Sequence, residues 1–291
     1  MNKKVLNKTK SFIYSIVRWA FLIGIIYVIL FPLIYAVSSS LMTDAQLTDP
    51  SVNWIPKVIT FENYKSVWKT MNYPSTFAFT VMLVVLSTLF QIFSCSLAAY
   101  GLARFKFKGK NVFFLLVVVT IIVPPQMLIV QQYAIFKNLG LLDTVFTYFL
   151  PALFGQGVRS GLMIYIFRQF VKNLPKELEE AAYIDGCSTF NTFWRIVVPS
   201  SAVSFLVVGI LSVVWYWNET LIPSMFFDNA STLSIELVNL KTALSSMEVG
   251  ISTIRNLLMS GVILFLTPVV IMYAVLQKYF IQGIEHSGLV G

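Results

Sequence analysis

Charged side chains are scarce in this sequence. Lysine and arginine number 21 and aspartate and glutamate 13 among 291 residues, 12% together, roughly half the share usual in a soluble domain. No long stretch is polar enough to form a separate soluble domain. Histidine occurs once, at His286 in a polar tail, and reads as a surface residue. The two cysteines, Cys95 in an apolar run and Cys187 in a basic-flanked loop, imply no disulfide framework and no metal site. A phosphate-binding Gly-x-x-x-x-Gly-Lys-Ser/Thr loop is missing, so the chain is not expected to hydrolyse ATP. Glu179 and Glu180 are adjacent carboxylates, but neighbours on a helix point in different directions and no metal-ligand cluster accompanies them. That argues against an enzyme. Nor does a small-residue cleavage pattern follow the first apolar run, so a signal peptide is not expected.

Apolar residues are abundant, 57% of the chain, and the mean hydropathy is +0.77. Six segments have the roughly 20 apolar residues a bilayer span needs. They are Trp19–Val37, Phe77–Tyr100, Val112–Val130, Val145–Phe167, Val203–Leu221 and Leu257–Leu276. The net charge of +8 comes from residues clustered beside these runs, which read as topology signals rather than a nucleic-acid surface. Lys3, Lys4, Lys8, Lys10 and Arg18 precede the first run. Arg104, Lys106, Lys108 and Lys110 follow the second, and Arg168, Lys172, Lys176 and Arg195 follow the fourth. This bias places both termini in the cytoplasm. The expectation is an all-α integral membrane protein of six transmembrane helices: a cytoplasmic segment 1–18, a membrane domain 19–276 and a cytoplasmic tail 277–291. Trp54, Pro56, Phe61, Tyr64 and Trp68 give the first outer connection enough apolar surface to pack. Pro32, Pro124, Pro125 and Pro268 lie within spans, where they either kink a helix or line a cavity.

The connection 173–199 is long and full of helix punctuation. Asn173 can cap, Pro175 suits a first helical position, and Glu177, Glu179 and Glu180 lie where the helix dipole favours anions. Gly186 fits a left-handed C-terminal residue and Ser188 a second cap. Phe190, Phe193, Trp194 and Val197 then fall on one helical face. A cytoplasmic helix–glycine turn–helix follows, able to dock in a partner's groove or to lie on the membrane surface.

Within that loop Glu180-Ala181-Ala182, Gly186, Ile196 and Pro199 fall at the spacing Glu-Ala-Ala, three residues, Gly, nine residues, Ile, one residue, Leu-Pro. This resembles the EAA loop of ABC-importer permeases, with Val198 in the leucine place. Phe61–Tyr64, Ala98–Gly109, Leu139–Thr144, Trp217–Glu219 and Gln277–Phe280 resemble the carbohydrate-uptake, maltose-type (MalG-like) branch, whereas the tail Gly283–Gly291 departs from it. The resemblance implies a permease subunit of the bacterial cell membrane, paired with a second permease, two ATPase subunits and an extracytoplasmic solute-binding protein. ATP and Mg would be bound by the ATPases, with no cofactor in this chain. Glu180, Ala181, Ala182, Asp185, Gly186, Phe190, Ile196 and Pro199 would couple to the ATPase, with Glu180 the carboxylate and Gly186 the turn.

Polar residues within the spans are candidates for the solute path. Gln156 and Arg159 lie in the fourth run, and Trp215, Trp217, Asn218 and Glu219 at the end of the fifth. If Arg159 faces the path it favours an acidic, pectin-type sugar. Otherwise it pairs with an acid or helix end of the companion permease. The aromatic cluster either stacks on sugar rings or forms an interfacial belt. A permease for a non-sugar solute and a stand-alone secondary transporter remain the competing readings.

Overall fold

The computed structural model describes residues 3–49, 51, 55–246 and 250–288, and all regular structure among them is helical. Trp54, the end of the tail and the side chains of Lys3, Lys4, Lys8, Lys10 and His286 lie outside the described residues. The helices are α1 (Lys3–Ser40), α2 (Asp44–Thr48), α3 (Glu62–Thr70), α4 (Tyr73–Arg104), α5 (Lys110–Ile122), α6 (Ile129–Asn138), α7 (Phe146–Leu153), α8 (Ser160–Asn173), α9 (Glu177–Ile184), α10 (Thr189–Thr192), α11 (Val198–Ser200), α12 (Ala202–Trp217), α13 (Leu221–Phe226), α14 (Leu233–Ser245) and α15 (Ile251–Gly288). A π-turn, Phe193–Val197, joins α10 to α11.

Three helices among the described residues are long and apolar enough to cross a bilayer: Tyr14–Ser40, Tyr73–Arg104 and Thr253–Lys278. They contain the first, second and sixth apolar runs. A fourth span forms if Thr189–Ser200 and Ala202–Trp217, bent by 80°, count as one. The chain is therefore a multi-pass membrane protein. Two runs expected to be continuous helices are broken. The third stops at Ile122, because Pro124 and Pro125 supply no N–H for the helical ladder, and resumes at Ile129 after a 3-10 turn. The fourth splits into α7 and α8 around Gly155, with φ +69°, and Arg159, with φ +57°. Pro32 and Pro268, by contrast, lie inside the unbroken α1 and α15. These two helices also run through the boundaries at 18 and 276, so the terminal segments continue the helices of the first and last spans.

The chain forms two compact units, Met1–Thr70 with Asn239–Leu266, and Met71–Val238 with Thr267–Gly291. In the first, Asn63 and Asn256 both donate side-chain hydrogen bonds to the Met42 carbonyl, and Ser40 Oγ bonds the Tyr64 hydroxyl. The two bonds to Met42 satisfy a backbone carbonyl freed where α1 ends. The second unit is organised around α4. Its Ser87, Gln91, Cys95 and Ala99 are fully buried, and small side chains let helices approach closely. Cys95, Ala99, Met163, Phe167 and Val208 form one cluster, which joins α4 to α8 and α12.

Candidate functional site

Two sites stand out in the second unit, a surface loop and a cavity. The loop begins where α8 ends at Asn173. Asn173 was expected to cap the next helix, but it closes the preceding one, and Lys176 takes the cap position of α9 without a side-chain bond. Leu174 is extended, as a residue before proline should be. Glu177, Glu179 and Glu180 occupy the first turn of α9. At its far end Gly186 has φ +82°, the Gly186 N–H bonds the Tyr183 carbonyl at 3.1 Å and the Cys187 N–H bonds Ala182 at 2.9 Å. This is a Schellman closure, in which glycine occupies the left-handed position at least cost. Ser188 Oγ then accepts from the Asn191 N–H and caps α10.

The two adjacent carboxylates part company. Glu180 is exposed, as are Ala181, Asp185 and Gly186, while Ala182 is buried. Glu179 is buried: Arg104 Nε donates to its Oε1 at 2.6 Å and the Tyr100 hydroxyl to its Oε2 at 3.0 Å. Arg104 also donates to the Leu174 carbonyl at 2.8 Å. These bonds fix α9 to the end of α4. Sequence reasoning singled out neither Arg104 nor Tyr100 for this role. The expected single apolar face is divided: Phe193 and Val197 are buried, Phe190 and Trp194 exposed. The π-turn, which adds a residue per turn, displaces the i, i+3, i+4 register. Ile196 is half-buried and Pro199 exposed. Ile184 is 87% exposed, and Leu178, Tyr183 and Phe190 of the same loop are exposed as well.

The cavity, about 260 Å³, lies between the α7–α8 break and the α12–α13 junction. It brings together Gln156 and Arg159 from the first candidate group with Asn218 and Glu219 from the second. Gln126 and Gln132, which sequence reasoning missed, also line it. Their one signal was polarity beside the Pro124-Pro125 pair. Trp215 lies outside the lining, beneath the Arg159 guanidinium at 5.6 Å from the ring centroid. Trp217 is buried edge-on against Phe77 and does not reach the cavity. The wall is held by Gln91 Nε2 donating to the Val158 carbonyl at 2.9 Å and the Val158 N–H donating to the Tyr216 hydroxyl at 3.3 Å. A side chain at Gly157 would strike Tyr216, Gln91 and the Ala152 backbone, so glycine is required there. Glu219 Oε1 accepts from the Leu221 and Ile222 N–H groups at 2.9 and 3.1 Å.

Comparison with known proteins places the chain among transport components. Residues 93–286 match the family "Binding-protein-dependent transport system inner membrane component". The chain is 32% identical over 279 residues to the "Probable ABC transporter permease protein YurM" of Bacillus subtilis (strain 168), covering 94% of this chain and 88% of that one. It is 29% identical over 282 residues to the "Arabinooligosaccharides transport system permease protein AraQ" of the same strain, covering 96% and 97%. Its fold matches a chain of a bacterial ABC transporter involved in the import of the acidic polysaccharide alginate, with TM-score 0.78, 23% identity, and 93% and 98% coverage.

Proposed function

The chain belongs to the family of binding-protein-dependent transport system inner membrane components, and from that premise we propose that it forms half of a sugar-importing path driven by separate ATPase subunits. Members of this family are non-catalytic permeases. The sugar assignment is supported by 29% identity to AraQ across nearly the whole chain. In this reading the chain crosses the membrane six times with both termini in the cytoplasm. It pairs with a second permease and receives its solute from an extracytoplasmic binding protein.

The observation that carries the coupling is the loop 173–199. It presents an exposed apolar tip at Ile184 and a free acidic edge at Glu180, yet α9 is tied to α4 through Glu179. A loop merely lying on lipid has no need of a buried ion pair to a central span. The tip docks in a cleft of an ATPase subunit, Glu180 faces that subunit, and ATPase closure moves α9. The Arg104–Glu179 pair passes the movement to α4, and the cavity changes sides by rigid-body motion. Gly186→Asp tests this. The aspartate puts a Cβ into a left-handed position that glycine fills at least cost, and adds a negative charge next to Asp185 at the docking tip, so the tip no longer fits its cleft. The variant is expected to insert and to pair with its companion permease while sugar uptake in cells falls to background. Normal uptake by Gly186→Asp overturns the coupling assignment.

A further inference from the structure

The cavity has a charge the fold does not neutralise. Arg104 is paired with Glu179, and Arg168 donates to the Leu102 carbonyl while its guanidinium lies 3.5 Å from the centroid of the Phe114 ring. Arg159, which lines the cavity, has no ion pair and no side-chain hydrogen bond among the described residues. The face of Trp215 supports the planar guanidinium without using its donors. The backbone around it is built rather than loose. Gln91 and Tyr216 hold Val158 from two helices, and Arg159 itself takes φ +57°, a conformation that glycine adopts more readily. The residue stands at the N-terminal end of the 14-residue α8, whose dipole adds to the positive potential.

The acid on the opposite wall does not cancel this charge. Glu219 lies beyond ion-pair distance of Arg159, and its Oε1 is engaged by two backbone N–H groups of α13. Its second oxygen suits a sugar hydroxyl. Gln126, Gln132, Gln156 and Asn218 add neutral amides to the same lining, which match hydroxyls as donors or acceptors. At about 260 Å³ the space falls just below the roughly 300–1,000 Å³ of drug-sized sites, and suits a sugar unit rather than a long chain.

We propose that this cavity recognises a sugar unit bearing a carboxylate, with the carboxylate paired to Arg159 and the hydroxyls to the amides and Glu219. The inference rests on the importer reading above and adds the solute's charge class. A phosphate ester offers the same oxyanion chemistry, and the test separates the two sources.

The experiment uses the whole complex in liposomes, with both permeases, the ATPase and the binding protein. Uptake of a galacturonate oligosaccharide, a neutral oligosaccharide of equal length and a sugar phosphate is compared for the wild type, Arg159→Gln and Arg159→Lys. The wild type is expected to take up the uronate. Arg159→Gln is expected to lose at least about tenfold of that uptake, the loss of a charge-assisted contact, with neutral-sugar uptake unchanged or raised. Arg159→Lys is expected to recover part of the loss. Equal uronate uptake by Arg159→Gln and wild type overturns the proposal, as does transport of the phosphate without the uronate. Loss of the second permease from purified Arg159→Gln complexes also overturns it, because Arg159 would then be an assembly contact. If no sugar of any kind crosses with the wild type, the importer reading itself fails, and the two failures are thereby distinguished.

Discussion

Glu179 and Glu180 are chemically identical neighbours with opposite fates. The orientation of α9 turns one toward Arg104 and the other toward solvent. The sequence marked both as acidic residues early in a helix. It could not separate them, because the partner of Glu179 is brought in from 75 residues away. Gly186 and Ser188 were legible, since a left-handed turn and a cap are local demands of the backbone. Removing one member of the buried pair leaves a charge uncompensated and costs about 3–5 kcal/mol. Glu179→Gln and Arg104→Gln are therefore each expected to lower the melting temperature of the purified complex, and the double variant to be less damaged than their sum. Additive losses in that cycle would mean the pair carries no coupling energy. Glu180→Gln is expected to leave stability within about 0.5 kcal/mol and to lower transport.

Asp143 clamps another connection. The Asn229 side chain, the Asn229 N–H and the Asp228 N–H all donate to its carboxylate, which holds its pKa below the ordinary value of 3.8. A depressed pKa in the folded state stabilises above the unfolded value. The contribution is lost as pH falls through the lowered folded value. Amide protection at Asp228 and Asn229 is accordingly expected to persist at pH 5 and above and to decline only below about pH 4. Asp143→Ala should abolish it at every pH, and unchanged protection in that variant would refute the clamp.

At the scale of elements, hydropathy located the apolar runs but not their breaks. Val112–Val130 and Val145–Phe167 each have span length, yet a proline pair divides the first and left-handed residues the second. The breaks matter because both line the cavity. The Pro124-Pro125 signal was visible. The left-handed Arg159 was not, because a non-glycine residue takes that conformation only when packing imposes it. The π-turn was equally hidden, and Trp194 within it is exposed while Phe193 and Val197 are buried. Glycine at helix crossings offers a test. A Cβ at Gly161 in α8 would meet the Thr120 hydroxyl and lie 3.0 Å from the Val117 carbonyl of α5. Gly161→Ala is expected to destabilise by about 1–3 kcal/mol. Gly24 in α1 has nothing within 4 Å, so Gly24→Ala should be neutral or stabilising by at most about 1 kcal/mol. Similar melting temperatures for both variants would contradict the close α5–α8 approach.

At the scale of the whole molecule, the apolar composition is explained only in part by the chain's own core. Of the apolar window in α1, 6% is buried within the chain, against 39% for α4. The remaining surface needs lipid or another subunit, which is the setting a permease pair in a bilayer provides. Composition announced the membrane, and the Glu180–Pro199 spacing announced the family. The convergence of Arg159 with Asn218 and Glu219 on one cavity depended on how α8 and α12 pack, which no local pattern records. Under the proposed coupling, ATPase closure reaches the membrane helices through α9 and α10 of this non-catalytic chain. The most direct measurement of this coupling is ATP hydrolysis by the reconstituted complex, with and without sugar-loaded binding protein, for wild type and Gly186→Asp. Stimulation is expected in the wild type and none in the variant, with all subunits still present. Equal stimulation in both, or solute crossing without any ATPase, would contradict it.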